Sequence, residues 1–315
     1  MTVPEPTHGT IPRCQPPFTH TFTIPSCHIE CPHVVGHRGF SAKYPENTMI
    51  SFDEAVKAGA NGIESDIHMT KDGEMVMLHD PRLDRTTDGT GVIKEQNWYG
   101  YMENLRTKKA PHCAIPRMSD VLTYLKQKEN VDNGLYLVLD IKNDNSPSVL
   151  EELHKLVQAH EPHDFSKQIV IGIWHPRFIP LAQKLFPDYS LCFIGVSVPA
   201  ARKHFFEHVD VISLHFAALS GEDGQKLIRD AHEANKKVFV WTVNTPAMIQ
   251  ETVRWKVDGV LGDDVNVLLH NVHAIASDEK ALIVPSASYM TFSRRWYYYF
   301  IRNLMVFASW KFLGI

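Results

Sequence analysis

The chain has 315 residues, enough for one large domain with a well-buried core, and its 44% hydrophobic and 22% charged content is ordinary for a globular protein. A net charge of −4 offers no electrostatic reason to expect a nucleic-acid partner. Five cysteines without disulfide spacing point to a reducing, cytosol-facing environment.

Residues 1–32 contain seven prolines and no apolar periodicity, which predicts a disordered, Pro-rich tail. No basic stretch leads into an apolar one there, so no secretory signal is expected. Cys27, His28, Cys31 and His33 suggest zinc, but a C-x₃-C without a second matched pair is a poor framework.

From residue 34 strand and helix patterns alternate. Strands are predicted at 34–37, 62–67, 135–141, 168–173, 190–196, 209–214, 237–243 and 257–261. Helices are predicted at about 47–58, 118–128, 147–160, 176–186, 198–206, 222–235, 245–255 and 263–270. Parallel pairing needs crossovers, so eight such alternations predict an α/β fold, a closed (β/α)₈ TIM barrel. Apolar runs such as Leu135-Tyr136-Leu137-Val138-Leu139 fit strands buried on both faces. The turn-rich stretch from His79 to Met118 is expected to cap the barrel mouth.

The chemistry concentrates between 34 and 80. The first strand runs into His37-Arg38-Gly39, the second carries Glu64 and Asp66, and the chain turns at Lys71-Asp72-Gly73 back to His79-Asp80. Glu64 and Asp66 are i and i+2 on a strand, so their carboxylates share one face. A two-residue Asp72-Gly73 turn would place His79 opposite Asp66, an imidazole beside a carboxylate pair. Spacing alone leaves metal ligation and solvated loop acids equally open for Glu64 and Asp66. No G-x-S-x-G, G-x-G-x-x-G or Walker pattern is present, which sets aside serine-hydrolase, dehydrogenase and NTPase readings.

In order, H-R-G, Y-P-E-N-T, E-x-D, K-D-G and H-D at 37–80, then Leu139-Asp140-Ile141-Lys142, Val240-Trp241-Thr242-Val243-Asn244 and Asp258-Gly259-Val260, resemble the glycerophosphodiester phosphodiesterase family over about 34–270. SAKYPENTM, LRTKKAPH, VLDIKNDN, IVIGIW and VFVWTVN look closer to its phosphatidylglycerol phospholipase C branch. The resemblance implies a TIM barrel with Glu64, Asp66 and Asp140 as ligands of a divalent ion, Mg²⁺ or Ca²⁺. Much of the wider family has glutamate where Asp140 stands, so either the strand lies closer or water intervenes. His37 and His79 become the catalytic acid/base pair, and Arg38 and Lys142 bind phosphate oxygens. For Lys142 the competing reading is an ion pair with Asp140; for Trp241, stacking on glycerol and plain burial fit equally. Glu46 and Asn47 are read as helix-capping residues, with a role in positioning the His37 loop as what the resemblance adds, and His68 is left unassigned.

The implied mechanism starts with a free glycerol hydroxyl attacking phosphorus. A diacyl phospholipid has that hydroxyl only in a glycerol headgroup, so the expected reaction converts phosphatidylglycerol to diacylglycerol and glycerol 3-phosphate. A soluble glycerophosphodiesterase, or a lysophospholipase D, is the alternative. A catalytically silent barrel binding lipid or a protein partner is the non-enzymatic one. Residues 294–315 are aromatic and apolar with Arg294, Arg295, Arg302 and Lys311 interspersed, so the tail is expected to lie in one leaflet or on a membrane surface rather than span it. The competing expectation is a terminal helix docked on the barrel. The organisation is then a tail at 1–32, a barrel domain at 33–272, a linker at 273–293 and a membrane-associating tail at 294–315. The expected location is intracellular, at the surface of the endoplasmic reticulum, mitochondrion or lipid droplet.

Overall fold

A computed structural model describes residues 31–277 and 290–314. The expectations for a disordered tail before residue 31, for a cysteine–histidine metal site beginning at Cys27 and for most of the 273–293 linker lie outside the described residues.

The strands are β1 (His33–Gly36), β2 (Gly62–Met69), β3 (Met75–Met77), β4 (Tyr136–Ile141), β5 (Ile169–Ile173), β6 (Ser190–Gly195), β7 (Val211–His215), β8 (Lys237–Trp241) and β9 (Gly259–Gly262). Eight of them pair in parallel in the order β1-β9-β8-β7-β6-β5-β4-β2, and the β1–β2 pairing closes the ring. This is a TIM barrel, as the alternating pattern predicts. The ninth strand, β3, is antiparallel and pairs only with β2.

The helices are α1 (Met49–Ala58), α2 (Met118–Leu125), α3 (Lys128–Asp132), α4 (Val149–Gln158), α5 (Ile179–Leu185), α6 (Val198–Ala200), α7 (Phe216–Leu219), α8 (Glu222–Glu233), α9 (Pro246–Arg254), α10 (Val265–Ser277) and α11 (Phe292–Ala308). Alternation along each strand separates two cores. Ile63, Leu137, Leu139, Ile171, Ile212 and Val238 pack outward in the core shared with the helices. Val35, Tyr136, Val138, Val170, Cys192, Val211, Phe239 and Leu261 fill the barrel interior. Gly62 and Gly259 make room for the largest of these, because a Cβ there would lie 2.7 Å from the Tyr136 ring and 2.6 Å from the Phe239 ring. The interior is thereby filled below, and the inward positions at the C-terminal end of the strands carry the acidic and basic residues of the mouth.

Three local expectations are corrected. The β2–β3 turn is not a two-residue Asp-Gly hairpin. Ile67 pairs with Met77 and Met69 with Met75, and Gly73 takes φ +90° in a loop closed by Thr70 N donating to Glu74 O. The Asp72 carboxylate instead accepts from Trp98 N and Tyr99 N, anchoring the following segment. The register shifts by one residue, so Leu78, not His79, faces Asp66, its N–H donating to Asp66 O at 3.0 Å. The helix expected at 118–128 breaks at Lys126 into α2 and α3. The helix expected at 263–270 runs on to Ser277, because Val272, Ile275 and Ala276 are still buried.

Residues 79–117 form no regular sheet but close on a small core of Leu78, Leu83, Ile93, Trp98, Met102 and Leu105. The C-terminal α11 lies beside α7, with Tyr298 5.5 Å from the Phe216 ring. Phe292, Trp296, Tyr297, Phe300, Phe307 and Trp310 remain exposed. Among the described residues no helix is long and apolar enough to cross a membrane.

Candidate active site

The metal-ligand, acid/base and phosphate-binding candidates from the sequence meet at the C-terminal mouth of the barrel. His37, Arg38, Glu64, Asp66, His79, Asp140, Lys142 and Trp241 line one cavity of about 100 Å³ together with Trp174, Ile194, Ser213 and Leu261. A wider cleft of about 520 Å³ opens beside it, past His37, Arg38, Glu46, Asn244 and Asp263.

Strand register brings the acids together. Asp66 and Asp140 are direct partners across the β2–β4 pair, and Glu64 stands one inward position below Asp66. Ligand oxygens of the three buried carboxylates lie within 4.8 Å of one another. The shorter side chain at Asp140 is therefore accommodated by strand adjacency. Lys142 sits between two of them, its Nζ 2.6 Å from Asp66 Oδ1 and 2.7 Å from Asp140 Oδ2. The ion pair with Asp140 thus exists and also belongs to the site. Trp174 Nε1 donates to Asp140 Oδ1 at 2.7 Å.

Arg38 reaches the acids because its backbone is left-handed, with φ 56°. That conformation costs about 1–3 kcal/mol for a non-glycine residue, and local bonds hold it. Arg38 N donates to Glu64 Oε2 at 2.9 Å, Nη1 to Glu46 Oε1 at 2.9 Å, and Nε lies 3.6 Å from Asp66 Oδ2. Gly39 continues the turn with φ +77°, where a Cβ would strike Ser51.

Glu46 and Asn47 do not cap α1. Thr48 does, accepting from Ser51 N while Ser51 Oγ accepts from Thr48 N. Asn47, also left-handed at φ 57°, donates through Nδ2 to Asp66 Oδ2 at 2.8 Å and accepts from Ser65 Oγ at 2.7 Å. Glu46 bridges Arg38 and Arg85. Both residues therefore position the cavity wall around Arg38 and Asp66, closer to the positioning role the resemblance implied than to capping.

Each histidine has a carboxylate on Nδ1. His37 Nδ1 and Asp263 Oδ1 are 2.6 Å apart, and Asp263 is itself held by Asn244 Nδ2 at 2.6 Å and Ser41 Oγ at 3.3 Å. His79 Nδ1 lies 2.8 Å from Asp80 Oδ1, and Arg85 grips Asp80. His68, fully buried, approaches His79 O through Nε2 at 3.1 Å and Asp144 through Nδ1 at 3.3 Å, so it supports the His79 backbone. Asp263, Asp80, Arg85 and Trp174 were missed by sequence reasoning. A carboxylate next to His79 was visible as H-D, whereas Asp263 becomes a neighbour of His37 only through barrel closure.

Burial, then Asp66, pushes the Glu64 carboxyl up to about 8. Asp140 also rises through burial. Asp66, equally buried, is held below the usual carboxylate range by Lys142 and Arg38. Burial would lower His37, but the Asp263 bond and the Glu64 charge raise it, whereas burial and Lys142 lower His79. Once Glu64 is ionised, three carboxylates face two cations in a buried cluster of hard oxygen donors, an excess negative charge that a bound cation would offset. That donor set fits a divalent cation.

The family model for the glycerophosphoryl diester phosphodiesterase family matches residues 37–267. Glycerophosphodiester phosphodiesterases from Bacillus altitudinis and Caldanaerobacter subterraneus are each 27% identical, over 73% and 76% of this chain and 94% and 97% of theirs. A phosphodiesterase structure from Oleispira antarctica, in complex with the product sn-glycerol-3-phosphate, is similar with TM-score 0.65 and 22% identity over 77% of this chain and 97% of that one. The glycerophosphodiester phosphodiesterase structure from Thermotoga maritima gives TM-score 0.60 and 23% identity over 77% and 99%. With a closed barrel, a buried acidic triad and two histidines at its mouth, and the family model spanning most of the chain, this protein belongs to the glycerophosphoryl diester phosphodiesterase family.

Proposed function

We propose that the chain hydrolyses a small, deacylated glycerophosphodiester to glycerol 3-phosphate and an alcohol. The observation that carries this reading is the single small cavity in which two histidines, two cations and three buried carboxylates converge. The cavity of about 100 Å³ is lined by charged and polar groups suited to a glycerol phosphate, and the wider cleft of about 520 Å³ beside it leaves room for the alcohol. The curated relatives carry the same activity in their names, and the Oleispira structure holds glycerol 3-phosphate.

Glu64, Asp66 and Asp140 would hold the divalent ion, which when bound supplies charge stabilisation to a phosphoryl oxygen. Arg38 and Lys142 present further positive charge to the phosphate. A glycerol hydroxyl attacks phosphorus, forming a cyclic phosphate and expelling the alcohol. One histidine takes the hydroxyl proton and the other protonates the leaving oxygen; water then opens the ring with the roles exchanged. The Nδ1 bonds to Asp263 and Asp80 leave each Nε2 available for this proton traffic.

A second reading, phospholipase C action on phosphatidylglycerol at a cytosol-facing membrane, is favoured by one observation. The outer face of α11 exposes a run of large aromatics, and residues 290–314 carry four basic and no acidic residues. The same cavity would then take the headgroup glycerol and expel diacylglycerol.

Purified protein supplied with glycerophosphoglycerol, glycerophosphocholine and phosphatidylglycerol micelles, with products identified by mass spectrometry, tests both. Turnover of the deacylated diesters supports the main reading. Turnover of phosphatidylglycerol alone replaces it with the second, and turnover of none, with metal supplied, defeats both.

A further inference from the structure

The barrel cavity contains one polar side chain that the scheme above does not use. Ser213 occupies an inward position in β7, below His215, and is 1% exposed. Its Oγ has no hydrogen-bond partner among the described residues. An unpaired buried hydroxyl destabilises a fold relative to alanine, so its place in a wall shared with Ile194 and Leu261 is costly unless a ligand pairs with it. Among the described cavity-lining side chains the other buried polar atom without a hydrogen bond is Arg38 Nε, which keeps only the longer 3.6 Å ion pair to Asp66 Oδ2.

These two groups divide the substrate between them. The guanidinium matches a phosphoryl oxygen; a serine hydroxyl, which both donates and accepts, matches another hydroxyl. The nearby indoles have already used their N–H groups. Trp174 Nε1 bonds Asp140 and Trp241 Nε1 bonds Ser213 O, so both rings offer carbon surfaces to a three-carbon chain. We infer that Ser213 Oγ is a specificity-determining contact that pairs with a free hydroxyl of the substrate's glycerol. The inference rests on the proposed glycerophosphodiesterase reading and deepens it. A diester without that hydroxyl, or with it acylated, would leave Ser213 unpaired, the situation in which binding sites discriminate most strongly.

The test compares wild type with S213A and S213C, using calorimetric titration of sn-glycerol 3-phosphate and of inorganic phosphate alongside turnover of glycerophosphoglycerol. For S213A, glycerol 3-phosphate affinity should fall about tenfold, as for loss of one hydrogen bond, with phosphate affinity unchanged. The melting temperature should stay level or rise, because an unsatisfied hydroxyl has been removed. S213C, with its weak S–H donor, should fall between. Equal effects on both ligands, no effect on either, or a lowered melting temperature would overturn the inference while wild-type turnover upheld the enzyme reading. A wild type that binds phosphate but cleaves no glycerophosphodiester would overturn the functional reading and this inference with it.

Discussion

His37 and Asp263 are 226 positions apart in the chain, yet His37 Nδ1 meets Asp263 Oδ1 at 2.6 Å. Barrel closure does this: β1 pairs with β9 in parallel, Gly36 against Gly262, so the residues that follow each strand emerge side by side. Asp263 therefore fixes which nitrogen of His37 faces the cavity. D263N should lower kcat by about tenfold or more with little change in KM, as expected for a mis-set acid/base group. Steady-state kinetics on a glycerophosphodiester, with circular dichroism to verify folding, decides it; an unchanged kcat removes Asp263 from the mechanism.

The histidines should act as one relay. H37A and H79A should each reduce turnover by about 10²–10⁴, and the double variant should lose little beyond the worse single one. Multiplicative losses in the double variant would mean that the two residues work independently.

Cation binding should release protons. In the metal-free protein burial and Asp66 push Glu64 up to about 8, so it is mostly protonated near pH 7 and must ionise to ligate. Apparent Mg²⁺ or Ca²⁺ affinity should therefore rise as pH rises towards 8 and then level off. Calorimetry in two buffers of different ionisation enthalpy should give different heats for wild type and converging heats for E64Q. Identical heats for wild type would contradict the protonated Glu64.

At the opposite end of the barrel, Asp258 accepts from Lys237 Nζ at 2.8 Å, Val238 N at 2.8 Å and lies 2.9 Å from His232 Nε2. Although half-buried, it is held below its ordinary value by His232 and Lys237. A depressed carboxyl stabilises the fold above its unfolded pKa of about 3.9, and that stability disappears as pH falls through the folded value. D258N should cost about 1–3 kcal/mol at pH 7, measured by urea unfolding. The gap from wild type should narrow below about pH 4; a constant gap would assign the cost to packing.

Truncation after Ser277 tests the aromatic helix. The barrel keeps α10, so turnover of a water-soluble glycerophosphodiester should persist, while flotation with anionic vesicles should be lost. Aggregation, or equal loss of activity on soluble and vesicle substrates, would make α11 a structural helix resting on α7.

The sequence alone determined the barrel, because continuous apolar strand runs and 3.6-period helices are local properties that each segment displays by itself. Every predicted parallel strand lies within about two residues of its observed position. The residues singled out at strand ends, His37, Arg38, Glu64, Asp66, His79, Asp140, Lys142 and Trp241, share one cavity. The β2–β3 register escaped the sequence, since Asp72 chose the backbone of Trp98 and Tyr99, 26 and 27 residues further along the chain, over a tight hairpin. Asn47 likewise reads as a cap until Asp66 and Ser65 are placed against it. Only the tertiary structure decided the partners that orient the site: Asp263 on His37, Trp174 on Asp140, and the unpaired Ser213 beneath them. Those relationships arise from strand closure and inward projection, which join residues of distant segments and leave no periodic trace in either one.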